Sequence, residues 1–200
     1  MELPLCTACQ FGKQKLATPP GKRHQRISDK SGVLKANNLY PGSEVSVDHF
    51  VSSVKGRLIN SKGREHESRK YIGGCLFSDH ASGYIHIELQ STLTTHDTIE
   101  AKKAYEARCQ DCGVIPQKYI SDNGSAFTSQ DFEDHLEEFK QIHKFAGVGA
   151  HHQNGIAERA IGTIMSIART MMMHSSIHWP DSADPELWPL AVLHAVYISV

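Results

Sequence analysis

The sequence predicts an α/β fold, a mixed sheet packed by helices, on three observations. Segments rich in β-branched and aromatic residues follow one another early in the chain. Strand-like and helix-like patterns then alternate. A long stretch near the end carries apolar residues at three-and-four spacing.

Taken in order, residues 44–50 read as a strand, with Val45 and Val47 on one face and Ser46 and Asp48 on the other. Residues 71–78 and 83–90 read as two more strands, joined into a hairpin by the turn-like Asp79-His80-Ala81-Ser82. The stretch 55–70 is dense in charge, Ser and Gly and reads as an exposed excursion between the first two strands. Thr94 or Thr95 caps a helix reaching about Cys112, where Gly113 suits its end, and residues 118–121 form a short strand. Thr128, with Asp131 three residues on, has a capping-box pattern that opens a helix to about Lys140. A fifth strand over 141–145 follows. Gly147, Gly149 and Gly155 bracket a loop before a long helix over 156–174, whose buried stripe is Ala157, Ala160, Ile161, Ile164, Ile167, Ala168 and Met171. After a break at 180–184, a last helix spans 185–199.

With 40% apolar and 22% charged content, the 200 residues suit one globular body with a short piece ahead of it. The expected division is an amino-terminal piece over 1–12, a linker over 13–42 and a body over 43–200. The net charge of −1 carries no global sign of a nucleic-acid binder, so any such function must rest on local charge. The linker supplies it: Lys13, Lys15, Lys22, Arg23, Arg26, Lys30 and Lys35 face the single anion Asp29, beside Pro19, Pro20 and Gly21. A basic run of this kind is also compatible with a solvated tether. No apolar run approaches the roughly 18 residues that span a bilayer, and the first residues lack a secretory pattern. Five cysteines without framework-like spacing argue against a disulfide-stapled secreted domain. The expectation is a soluble protein of nucleus and cytoplasm with no membrane partner.

Three carboxylates fall at informative places. Asp48 lies on the less apolar face of the first strand, Asp122 just beyond the fourth, and Glu158 in the first turn of the long helix. If the first and fourth strands are neighbours, Asp48 and Asp122 project side by side and the helix brings Glu158 to the same point. Carboxylates so clustered repel one another unless a cation lies between them, and hard oxygen donors suit Mg²⁺ or Mn²⁺. Singly, each feature is ordinary: Asp122-Asn123-Gly124 is a turn, Asn154-Gly155 a helix entry, Asp48 a strand residue. Their conjunction carries the argument, with 35 residues between Asp122 and Glu158.

Residues 120–127, Ile-Ser-Asp-Asn-Gly-Ser-Ala-Phe, and 152–159, His-Gln-Asn-Gly-Ile-Ala-Glu-Arg, resemble the core of retroviral and LTR-retrotransposon integrases, nearest the copia-like group. Val47-Asp48-His49-Phe50 matches the position of the first aspartate, and residues 77–84 resemble the segment between the second and third strands. The resemblance implies a ribonuclease H-like, mixed five-stranded sheet flanked by helices and a DNA strand-transfer activity. It also implies a two-metal site in which Asp48 bridges both ions, Asp122 completes one site and Glu158 the other. DNA, as element ends and target, and further copies of the chain are the implied partners. Gln153, Asn154, Arg159 and Arg169, with Lys13, Lys15, Lys22 and Arg23 of the linker, are the expected DNA contacts.

Cys6 and Cys9, followed by Gly12-Lys13, resemble the second half of that family's His-His-Cys-Cys module. The expected upstream histidines are absent, so Zn²⁺ is expected only if they are supplied. A second Cys-x-x-Cys, Cys109 and Cys112, lies too far along the chain for a zinc ribbon, at a helix end. The chain departs from the family at residues 146–152, where Ala, Gly, Val and His replace the usual Ser and Pro. It departs again at Ala160-Ile161-Gly162, where polar or basic residues commonly stand. The end at Val200, where the core's final helix finishes, reads as a fragment of a polyprotein or a decayed copy. Competing expectations are a binding-only derivative that has lost catalysis and a related nuclease that only hydrolyses.

Overall fold

The structure, a computed structural model, describes residues 6–12, 39–58, 66–146 and 154–199. A five-stranded sheet forms its centre. In chain order its strands are β1 (Val45–Gly56), β2 (Tyr71–Asp79), β3 (Ile85–Gln90), β4 (Lys118–Ser121) and β5 (Ile142–Phe145). In space they run β3-β2-β1-β4-β5, antiparallel among the first three and parallel from β1 through β4 to β5. The helices are α1 (Thr7–Gly12), α2 (Thr95–Asp111), α3 (Gln130–Glu138), α4 (Gly155–His178) and α5 (Trp188–Tyr197). The mixed five-stranded sheet flanked by helices is the predicted fold.

Strand alternation divides the core between the two faces. Val45, Val47, Cys75, Phe77 and Tyr119 pack with Ala101 and Tyr105 of α2 and Phe132 and Leu136 of α3. Phe50, Leu76 and Ile87 point the other way, onto Ala157, Ala160, Ile164 and Ala168 of α4 and Ala191, Val192 and Ala195 of α5. Small alanines let α4 lie close over the sheet. The predicted stripe of α4 holds, with Ile161, Ile167 and Met171 on its partly buried margin.

Several boundaries move for identifiable reasons. β1 continues to Gly56, beyond the expected end at Phe50, because its second half stays paired with β2 across an irregularity between Val51 and Gly56. Gly56 is required there, since a Cβ would lie 2.4 Å from Pro189 and 2.5 Å from the Trp188 indole nitrogen. That nitrogen donates to the Val54 carbonyl at 2.8 Å, joining α5 to β1. Thr94 caps α2 as expected, accepting from the Asp97 amide, and Gly113 ends the turn with φ of 72°. At α3 the cap is Ser129, accepting from Phe132, and not Thr128, whose hydroxyl donates to the Gly124 carbonyl. α4 runs one turn past the expected His174. The last helix begins at Trp188 after a 3₁₀ turn over Pro185–Leu187.

Lys102 is wholly buried, its Nζ 2.8 Å from Glu106, which also accepts from Tyr119 Oη at 2.7 Å. Burial lowers its pKa and the Glu106 carboxylate opposes that shift. Among the described residues no helix is long and apolar enough to cross a membrane.

β2 approaches β1 so closely at Gly73 that an added Cβ would lie 2.0 Å from the Phe50 carbonyl oxygen. Gly73→Ala is expected to lower the unfolding free energy by at least ~1–3 kcal/mol, the range for overpacked sites, as read by urea denaturation.

Candidate active site

The β1–β4 register brings two carboxylates together. Val45 lies opposite Tyr119 and Ser46 opposite Ile120, in parallel. Three residues on from the first pair, both chains carry an aspartate, Asp48 within β1 and Asp122 just past β4. Asp48 shares its face of β1 with Phe50, which belongs to the core under α4, so its carboxylate lies on the side of the helix whose first turn holds Glu158. Asp48 is half-buried, whereas Asp122 and Glu158 are exposed.

The Asp48 carboxyl is pushed up to about 6, first by burial, then by the Asp122 carboxylate and more weakly by Glu158; the hydrogen bond from the His49 amide (2.8 Å) only partly opposes this. None of the three carboxylates is in an ion pair among the described residues. They act on one another without being drawn to ligand distance: among the described residues no three His, Cys, Asp or Glu side chains are gathered around one point. Three hard oxygen donors lacking any side-chain cation fit Mg²⁺ or Mn²⁺ in chemical character.

Neighbouring groups fix the site from behind. The Asp122 Oδ1 accepts from the Gly124 amide at 3.0 Å, and a Cβ at Gly124 would press to 3.0 Å from that oxygen. Ser121 donates to the Asp122 carbonyl at 2.9 Å and lies 2.8 Å from His143 Nε2, whose Nδ1 stands 2.6 Å from Glu133. This Ser-His-Glu chain is a strut and not a nucleophile, because Ser121 is wholly buried. A similar strut, Ser46-His80-Glu44, supports the start of β1.

Asn154 is buried, at 3% exposure, and its Nδ2 donates to the Val47 carbonyl at 3.3 Å. It thereby ties the start of α4 to β1 one residue before Asp48. Its Oδ1 is buried without a partner among the described residues. Sequence reasoning placed Asn154 on DNA; in the structure its amide contacts the protein. His49 figured in the sequence only as part of the Val47–Phe50 motif, with no role of its own. Its ring stacks on Phe127 at 4.6 Å between centroids, Nε2 stands 3.1 Å from Thr98 Oγ1, and burial lowers its pKa against the opposing pull of Asp122. Only its place beside Asp48 could have flagged it.

Arg159 and Arg169 are exposed on α4, and Arg159 Nε donates to the Gly155 carbonyl at 2.8 Å. Gln153, His151 and His152, and the linker cations Lys13, Lys15, Lys22 and Arg23, lie outside the described residues. Cys6 is exposed just ahead of α1 and Cys9 lies within it; neither is in a disulfide. The pair Cys109 and Cys112 lines a different cavity, at the end of α2.

No protein-family profile matches the chain. In sequence it is 27% identical over 196 residues, 96% of its length, to the retrovirus-related Pol polyprotein from transposon TNT 1-94 of Nicotiana tabacum, of which it spans only 12%. In structure it is similar to the HTLV-2 integrase catalytic core domain in complex with magnesium, trimeric form (TM-score 0.54, 19% identity, 80% of this chain and 85% of that one). It is also similar to a chain of the simian T-cell lymphotropic virus intasome in complex with PP2A regulatory subunit B56 gamma (TM-score 0.53, 17% identity, 77% of this chain and 48% of that one).

The raised Asp48 pKa has a definite sign. Folding favours the protonated form, so the metal-free chain loses stability as pH rises from the ordinary carboxyl value of 3.8 through about 6, and the loss persists above. Asp48→Asn is expected to flatten that profile, being more stable than the wild type at neutral pH but not at about pH 4. Urea denaturation in a chelating buffer across that range reads it; parallel profiles would refute the carboxylate cluster.

Proposed function

We propose that this chain, which has the ribonuclease H-like fold of retroviral integrase catalytic cores, works as the catalytic core of a retrotransposon integrase, a metal-dependent polynucleotidyl transferase that joins DNA. One observation carries this reading. Asp48 of β1, Asp122 just past β4 and Glu158 at the start of α4 come to one margin of the sheet, where burial first, then Asp122 and more weakly Glu158 push the Asp48 carboxyl up.

Asp48, Asp122 and Glu158 would together hold the two Mg²⁺ or Mn²⁺ ions. Bound there, the ions supply Lewis acidity to the attacking and leaving oxygens of an in-line displacement at phosphorus. The new bond joins a water or DNA 3′-hydroxyl oxygen to phosphorus, and the bond to the leaving 3′-oxygen breaks, without a covalent protein intermediate. The protein's part is to hold the carboxylates. Because Asp48 keeps a proton up to about pH 6, that proton competes with metal, and loading weakens on acidification. Asn154 acts as a positioning residue, fixing the first turn of α4 and with it Glu158.

In this reading residues 43–200 form the core and 13–42 a basic linker whose Lys13, Lys15, Lys22 and Arg23 meet DNA phosphates. Arg159 and Arg169 do the same from the exposed side of α4, and Gln153 from the approach to it. Joining two element ends to one target calls for a homo-oligomer.

A Mn²⁺-dependent disintegration assay on branched DNA tests the reading. Wild type is expected to give product, and Asp122→Asn and Glu158→Gln to lose at least ~10³-fold in rate while staying folded by circular dichroism. Hydrolysis without joining would point to a nuclease; DNA binding without either, in a folded wild type, would point to a binding-only domain.

A further inference from the structure

The ladder between β1 and β4 consists of two residue pairs, Val45 with Tyr119 and Ser46 with Ile120, and ends before either aspartate. His49 bridges the two segments beyond it. Its backbone amide donates to Asp48 Oδ1 at 2.8 Å. Its ring stacks on Phe127, with centroids 4.6 Å apart and planes 19° from parallel. Phe127 belongs to the turn that carries Asp122: its amide donates to the Gly124 carbonyl at 3.0 Å, and the Gly124 amide donates to Asp122 Oδ1 at 3.0 Å. One residue thus reaches the supports of both carboxylates, the first through its main chain and the second through its ring.

The ring itself has little freedom. The buried Thr98 hydroxyl donates to the Thr94 carbonyl at 2.8 Å, so it has no proton left for His49, and Nε2, 3.1 Å away, must donate to it. That bond pins the imidazole to α2 and fixes its tautomer. Phe127 is buried on the other side of the stack and held edge-on by Phe132 at 5.6 Å. The stack therefore runs from α2 through β1 to the Asp122 turn.

We propose that His49 is a positioning residue, whose stack on Phe127 sets the separation of Asp48 from Asp122 and with it the fit of that pair to divalent cations. The proposal rests on the reading of these carboxylates as the metal-holding site. Two like charges push apart when no cation lies between them, and Mg²⁺ tolerates little departure from its preferred ligand geometry. A lysine or arginine strut would restrain the pair only by donating to the oxygens the ions need. A ring stack restrains it from behind and leaves those oxygens open.

The test compares His49→Ala, His49→Gln and His49→Phe with the 200-residue wild type by Mn²⁺ binding, followed as loss of the free-ion electron paramagnetic resonance signal, and by amide hydrogen exchange without metal. His49→Ala and His49→Gln are expected to weaken Mn²⁺ binding ~10–100-fold, the range for losing a group that orients a ligand. Exchange at the Gly124 amide should quicken while that at Leu76, in the middle of the sheet, stays unchanged. His49→Phe keeps a ring on Phe127 and should recover most of the affinity. His49→Gln keeps a donor towards Thr98 and no ring, so it decides the matter where His49→Ala does not fold. In the disintegration assay the deficit should appear as a higher Mn²⁺ requirement and a lower kcat, with KM for DNA unchanged. Wild-type affinity in folded His49→Gln, or equal loss in His49→Phe, would overturn the proposal. Mn²⁺ binding that depends on His49 in a chain that never joins DNA would remove the transferase reading and leave the positioning role standing. Joining by His49→Gln at the wild-type rate and Mn²⁺ requirement would do the reverse, and a folded wild type that binds no Mn²⁺ would overturn both.

Discussion

The parallel pairing of β1 with β4 is the constraint on which the rest depends. It places an aspartate from each strand at the same level, a like-charge arrangement that costs stability without a cation. The surrounding structure holds it on both faces. Phe77, Tyr105 and Tyr119 fill the core behind β1 and β4, with Phe77 and Tyr105 stacked at 4.7 Å between centroids. On the other face the alanines of α4 bring its backbone down onto Phe50 and Leu76. Apolar packing on both sides of the sheet thus supports a polar site along one margin. The hydrogen-bonded struts of Asn154 and Ser121 set its local geometry.

Much of this is written in short-range sequence pattern. Alternation at Val45, Val47 and Asp48 assigned Asp48 to the right face, and β4 was bounded at Lys118 and Ser121 because a turn-forming Asp-Asn-Gly follows it directly. What local pattern could not carry is whatever depends on a partner distant in the chain. β1 runs on to Gly56 in pairing with β2, and Trp188, more than a hundred residues later, closes over that half. Lys102 is buried inside α2 because Glu106 one turn on and the ring of Tyr119, seventeen residues along, meet its ammonium. The capping-box pattern pointed to Thr128, but the turn commits the Thr128 hydroxyl to Gly124 and leaves Ser129 to cap α3.

The candidate site divides along the same line. The carboxylates were legible because their chemistry needs fixed residue types in a fixed order. Asn154 was noticed for its Asn-Gly context, but its contact with Val47 belongs to the fold and has no signature in the sequence. The seating of α1 on α4 was invisible for the same reason, because the two helices lie at opposite ends of the chain.

α4 relates the two ends of the molecule. Glu158 and His174 are 16 residues apart on one continuous helix, about 24 Å along its axis. That separation exceeds twice the ~10 Å Debye length at moderate ionic strength, so charge at one end is screened from titrations at the other. Communication between them must then be mechanical, through the seating of α4 on the sheet. The row Ala157, Ala160, Ile164 and Ala168 supplies that seating, and it is buried along its whole length. A helix held at four successive contacts resists tilting, so loss of contact beyond Met171 would fray its last turns before it displaced Glu158. The carboxylate site can therefore keep its geometry whether or not α1 stays docked, and the two ends of α4 are separable by mutation.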